Sequence, residues 1–141
     1  MFLVTKINDQ ITTYNLDELA EKYSGIINIG QHTKYVWNTI AIGDESIDQF
    51  QCHLIGCVGG PWTLNHGQQR TECPKGLLSS KTIPCNGCTG RCVNVTPGRP
   101  KYPKRIPETP TLINNKPVSE WGTTINPGDE ISFGNVTLLV R

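Results

Sequence analysis

The sequence predicts an all-β fold, a sandwich of short strands with one short helix, and three features of the chain predict it. Runs such as Phe2-Leu3-Val4-Thr5-Lys6-Ile7 have the length and the β-branched and aromatic content of strands. Turn formers punctuate these runs, with 14 glycines and 10 prolines among 141 residues. Helical spacing occurs once, after Asn15, so many strands and little helix must share one core. The length and the 36% hydrophobic content suit a single domain over residues 1–141.

The elements follow in chain order. Phe2 to Ile7 is a first strand, Asn8-Asp9-Gln10 its turn, and Ile11 to Tyr14 the returning strand. Asn15 then caps a helix of barely two turns, with Glu18 at the reciprocal capping position and Leu16, Leu19, Ala20 and Tyr23 on one face, since three- and four-residue spacing brings side chains together on a helix. Gly25 ends it. Ile26 to Gly30, Trp37 to Ile42 and Phe50 to Cys57 read as three further strands, the last with Phe50, Cys52 and Leu54 on one face and Gln51, His53 and Ile55 on the other. Gly59-Gly60 turns the chain into Trp62-Thr63-Leu64. Strand signals resume at Thr111 to Ile113, Glu130 to Phe133 and Val136 to Val140, separated by the turns Asn126 to Asp129 and Phe133-Gly134-Asn135.

Between these two sets of strands lies a Cys/Pro-rich basic insertion over residues 72–110. Cys73 is followed at a distance by Cys85, Cys88 and Cys92, with Gly87 and Gly90 among them. A Cys-x-x-Cys turn with glycine beside it lets two thiolates converge on one ion, and two more complete a closed tetrahedron of the structural-zinc type. A pair of disulfides and an iron–sulfur cluster are the competing uses of the same thiols. The spacing favours zinc. Cys52 and Cys57 fall on a strand and read as small buried hydrophobes, outside the metal set. Pro97, Pro100 and Pro103 recur every third residue, as in an extended polyproline arm.

Charge is distributed unevenly. From Arg70 to Arg105, the basic residues Arg70, Lys75, Lys81, Arg91, Arg99, Lys101, Lys104 and Arg105 stand against Glu72 alone, whereas the whole chain is only +1. A basic arm of this kind suits either a solvated shield or a nucleic-acid contact in which Arg91, Arg99, Lys101, Lys104 and Arg105 neutralise phosphates and Tyr102 stacks on a base. The start, Met1-Phe2-Leu3-Val4 followed by Lys6, is too short for a signal-peptide core, and no apolar run approaches a membrane span. The expected location is therefore the reducing cytoplasm, with no membrane partner.

Several motifs, taken in order, resemble the forkhead-associated (FHA) domain, a β-sandwich family that reads phosphothreonine peptides through loops at one end. Ile27-Asn28-Ile29-Gly30 resembles the family's strand ending in Gly-Arg, Ile40 to Asp44 the strand and turn that follow, and His53 the histidine of Ser-x-x-His. Trp62-Thr63-Leu64 resembles the next strand, Thr111 to Val118 the Thr-x-x-Asn-Gly segment, and Asn126 to Gly134 the closing Pro-Gly-Asp-x-Ile-x-Phe-Gly. The resemblance leaves out the helix and the cysteine segment, and it places the insertion in a recognition loop.

It also implies a set of binding positions, namely Gln31, Lys34, Phe50, Gln51, Arg70, Thr71 and Asn114. Gln31 stands where the family carries its phosphate-binding arginine, and a neutral amide cannot form a charged fork to phosphate. Phe50 stands at the family's serine and offers no hydroxyl. Arg70 and Lys34 are the candidates to replace the lost charge. His53 reads as a buried histidine bracing a nearby loop, while His32 and His66 sit beside glycines in expected surface loops, His66 as a spare metal ligand. No nucleophile with an adjacent base, no paired acids and no phosphate-cradling glycine loop can be assembled, so catalysis is not expected. The expected function is a non-catalytic protein-interaction module. Its expected partner is a protein or a peptide, phosphorylated or plain, with nucleic-acid binding by the insertion as the alternative.

Overall fold

The structure is a computed structural model and describes residues 1–34, 36–69, 89–93 and 104–141. Two sheets face each other across the core. In chain order the first elements are β1 (Phe2–Ile7), β2 (Gln10–Asn15), α1 (Leu16–Lys22), β3 (Ile26–Gln31), β4 (Ile40–Ile42), β5 (Cys52–Gly56), β6 (Trp62–His66) and β7 (Gln68–Gln69). They are followed by β8 (Arg91–Val93), β9 (Lys104–Ile106), β10 (Leu112–Ile113), β11 (Lys116–Pro117), β12 (Thr123–Thr124), β13 (Glu130–Phe133) and β14 (Val136–Val140). One sheet runs β11-β10-β13-β14-β1-β2, the facing sheet runs β12-β6-β5-β3-β4, and a small third sheet runs β7-β9-β8.

Local chemistry fixes the hairpins. Asn8 and Asp9, alone between β1 and β2, both take positive φ (49° and 64°), as do Asn114 and Asn115 between β10 and β11 (51° and 66°). A two-residue hairpin turn with both central residues left-handed matches the twist of the flanking strands, and Asn and Asp tolerate that conformation best. After β2, the Asn15 side chain accepts from the Asp17 and Glu18 amides at 3.0 and 3.4 Å, so the cap expected from the sequence starts the helix. Leu16 and Ala20 turn inward and close one side of the sandwich.

The core fills the space between the two large sheets. Leu3, Ile131, Phe133, Leu138 and Val140 come from one sheet, and Ile27, Ile29, Ile40, Leu54, Trp62 and Leu64 from the other, all at most 1% exposed. Cys52 joins them and is wholly buried, with its thiol pushed upward by burial. Cys57 differs from expectation. Because β5 ends at Gly56, its side chain is exposed instead of buried.

Two strand expectations are corrected. The fourth strand spans only Ile40–Ile42, and it runs parallel to β3, with Ile29 beside Ile40. A parallel neighbour cannot be reached by a hairpin, so Trp37 to Thr39 belong to the loop that carries the chain back. The fifth strand begins at Cys52, because Asp48 to Gln51 pack inward as a loop, all four of them buried. The short strands β7, β8, β9, β11 and β12 carry no run long enough to announce them.

Candidate functional site

Three connections meet at one end of the sandwich: residues 32–39 between β3 and β4, residues 43–51 between β4 and β5, and the chain leaving β6. Gly30 lets the first two touch. A Cβ there would lie 2.2 Å from the Gln49 carbonyl oxygen and 2.8 Å from Asn38 Nδ2, so no side chain is tolerated while the loop rests on β3. Asn38 Nδ2 donates to that carbonyl at 2.8 Å. Gln68, fully buried, sends Nε2 to Asn38 Oδ1 at 2.9 Å and to the Ile29 and Cys52 carbonyls at 3.0 Å each. Gln51, also fully buried, sends Nε2 to the Thr109 carbonyl at 2.8 Å and to Thr111 Oγ1 at 3.1 Å, and its Oε1 accepts from the Asp48 amide at 3.1 Å. Buried amides bonded in this way hold loops in a single arrangement, because each unmade bond costs its full desolvation.

The chain after β6 is tied to the same end. Asp48 is 3% exposed; it accepts the Phe50 amide at 2.7 Å and the Thr89 hydroxyl at 3.1 Å, and it also contacts the Thr89 amide closely. Burial raises its carboxyl above the ordinary 3.8, against the opposing pull of those donors. Arg105, 4% exposed, lays its guanidinium 5.9 Å from the centre of the Phe50 ring and its Nη1 against Cys92 Sγ. Arg105 is thus built into the domain and does not stand on an open basic arm, and Lys104 is half-buried beside it. The reading of Arg105 as a phosphate-neutralising group is corrected accordingly.

The histidines are placed by the same packing. His53 is half-buried, and its Nδ1 donates to the Gly67 carbonyl at 2.6 Å. His66 is not a surface-loop residue. It ends β6, with Nδ1 2.8 Å from Thr111 Oγ1 and Nε2 3.1 Å from the Pro107 carbonyl, so both nitrogens are engaged and no lone pair is left for a metal. Burial depresses both imidazoles below the ordinary 6.5.

Over this framework the β3–β4 connection leaves an open cleft of about 470 Å³, lined by His32, Thr33, Lys34, Val36, Trp37, Asn38 and Ala41. Trp37 is 58% exposed and packs its other side on Tyr23, ring centres 5.2 Å apart. Lys34 and His32 are exposed at the rim.

Of the expected binding positions among the described residues, only Lys34 lines this cleft, and Gln31 lies immediately before it. Phe50 and Gln51 are fully buried and act inward, as described above. Asn114 lies at the opposite end of the sandwich. Its side chain bonds to Asp129 Oδ1 at 3.0 Å and accepts from the Glu130 amide at 2.9 Å, next to the turn whose Gly128 amide reaches the Val140 carbonyl. Arg70 and Thr71 lie outside the described residues. So do Cys73, Cys85 and Cys88, the three thiols expected with Cys92, and the prolines at 97, 100 and 103. Among the described residues no group of three or more His, Cys, Asp or Glu side chains is placed to hold a metal. No described helix is long and apolar enough to cross a membrane. Trp37, assigned by its sequence to a strand, and Asp48, set between Ile47 and Gln49, are the site residues that the motifs did not flag.

No protein-family model matches the sequence, and no curated protein matches it. Solved structures do match its shape. The FHA domain of FhaA, complexed with the intracellular domain of Rv3910, is 15% identical with a TM-score of 0.57, and the match covers 100% of both chains. An FHA domain analysed for phosphothreonine-dependent interactions is 13% identical with a TM-score of 0.50, covering 100% of this chain and 96% of the other. The FHA domain of an Arabidopsis thaliana protein is 15% identical with a TM-score of 0.51, covering 99% of this chain and 86% of the other. With the loops gathered at one end and the two sheets ordered as described, the chain has the fold of a forkhead-associated domain.

Proposed function

We propose that this chain is a non-catalytic protein-interaction module of the cytoplasm that seats a peptide segment of its partner in the cleft of the β3–β4 connection. The observation that carries the reading is a half-exposed indole, Trp37, and an exposed ammonium, Lys34, on one cleft that the buried Asn38 also lines. Rigid aromatic anchors flanked by a charged group are the usual energetic centre of a peptide or protein interface. The structural neighbours support a protein or peptide partner, one of them having been solved with a protein domain bound. Gln31 and Phe50 supply neither charge nor hydroxyl, so phosphate contributes little here and contact with the peptide itself dominates.

Peptide arrays presenting each threonine sequence in plain and phosphorylated form, followed by calorimetric titration of the best binders, test the reading. Saturable binding that changes less than about tenfold on phosphorylation, and falls about tenfold or more in Trp37→Ala and Lys34→Ala, is expected. Arrays without any saturable binder, or affinities indifferent to both substitutions, would overturn it.

The insertion is proposed to be held by zinc on Cys73, Cys85, Cys88 and Cys92. The support is the thiol spacing, in which a glycine-flanked Cys-x-x-Cys and two further thiols can close a tetrahedron on one ion. In this reading zinc is structural and takes no part in chemistry.

A further inference from the structure

The two large sheets have four edges, and three are blunted. β11 is two residues long and consists of Lys116 and Pro117, a charge and a residue without an N–H. β12 is also two residues long, and β4 three. Shortness, lysine and proline are the ordinary means by which proteins keep sheet edges from pairing with other chains.

The fourth edge has none of these. β2 is six residues, Gln10-Ile11-Thr12-Thr13-Tyr14-Asn15, with no charge and no proline. Among the described residues it pairs with β1 alone. Phe2 exchanges both backbone bonds with Arg141, N to O at 2.6 Å and O to N at 2.9 Å, so Phe2 faces β14 and the alternation of an antiparallel ladder turns Leu3, Thr5 and Ile7 toward β2. Their partners are Tyr14, Thr12 and Gln10. The backbone groups of Ile11 and Thr13 therefore point away from the sheet, and among the described residues none bonds to them. On the outer face beside this row, Ile11 is 65% exposed and Phe2 42%.

We infer that β2 is a self-association edge, and that its occupant is β2 of a second copy of this chain in antiparallel register about a two-fold axis. An uncharged strand meets its own copy without like-charge repulsion, and two-fold symmetry repeats every contact. With Ile11 opposite Thr13 of the second copy, the outward N–H and C=O groups of both residues are satisfied, on the order of four backbone bonds as in any short antiparallel ladder. Thr12 then faces its own symmetry mate. The two six-stranded sheets become one continuous sheet, and Ile11 of each copy is covered by the neighbouring strand. This pairing is independent of the cleft at the loop end.

Sedimentation velocity of the full chain over a wide concentration range, with amide hydrogen exchange at each concentration, tests it. A mass rising from 15.6 kDa toward twice that value is expected, with the Ile11 and Thr13 amides gaining protection as concentration rises. Thr13→Pro removes an outward N–H without touching the ladder to β1, and should weaken association about tenfold or more by the loss of two backbone bonds. Ile11→Lys places like charges across the axis and should weaken it most at low salt. A chain that stays monomeric with both amides exchanging freely overturns the inference and leaves the edge to a strand of another protein. A dimer that both folded variants retain overturns it equally.

Discussion

His66 Nε2 donates to the Pro107 carbonyl, which leaves Nδ1 as the acceptor for the Thr111 hydroxyl; Thr111 Oγ1 in turn accepts from Gln51 Nε2. With a neutral imidazole these roles are complementary, and the Thr111 hydroxyl also has the Gln51 carbonyl within reach at 3.5 Å. His53 is held the same way by the Gly67 carbonyl. Burial is the larger cause of both depressed values, with Lys104 adding to it. An unfolded histidine takes up its proton near 6.5, whereas the folded ones resist it, so between those values the unfolded chain binds more protons and stability falls as pH falls. Asp48 acts in the opposite sense, since its raised carboxyl takes up a proton in the fold before it would in the unfolded chain, from 3.8 upward. The midpoint of urea unfolding is expected to drop between about pH 7.5 and pH 5.5, and to drop less in a His53→Gln, His66→Gln double variant. An equal drop in the variant would exclude the histidines as the cause. The partners of His66 were not legible in the sequence, because Pro107 lies at the far end of the insertion and Thr111 beyond it, whereas His53 bonds to the nearby Gly67.

At the scale of elements, local rules and tertiary demands divide cleanly. The hairpin turns at Asn8-Asp9 and Asn114-Asn115 and the cap at Asn15 depend on a few consecutive residues, and both the first turn and the cap follow from the sequence. Asn15→Ala removes the acceptor for the Asp17 and Glu18 amides and is expected to cost about 1 kcal/mol of stability, read from the urea midpoint with an unchanged slope. A negligible cost would mean that Leu16 and Ala20 hold the helix by packing alone. The strands β7, β8 and β9 behave differently. Gln68-Gln69 and Lys104-Arg105-Ile106 have no alternation that announces a strand, and they pair because Asp48, Gln51 and the floor of the sandwich draw both ends of the insertion to one place. Trp37 illustrates the reverse error. Its β propensity suggested a strand, but the parallel pairing of β4 with β3 requires a returning connection, and the indole was spent on a cleft.

For the molecule as a whole, the prediction that matters most concerns the metal proposed for the insertion. Protein purified without added metal is expected to carry about one zinc per chain without absorption near 400 nm, and a strong chelator should lower its thermal midpoint. Metal-free protein of unchanged stability, or a coloured cluster, would overturn the zinc assignment. The longer strands β1, β2, β3, β6, β13 and β14, the helix and its cap, and the resemblance of the closing Asn126 to Gly134 segment to FHA domains were all determined by the sequence itself, because hydrophobic period and turn chemistry act over a few residues. Tertiary structure alone decided that Phe50 and Gln51 face inward, that Asn114 sits at the far end, that Arg105 is buried against Phe50, and that β2 is left as an open edge. Those outcomes depend on which distant segments share a surface, and burial and partner choice over such separations are settled only when the two sheets close on each other.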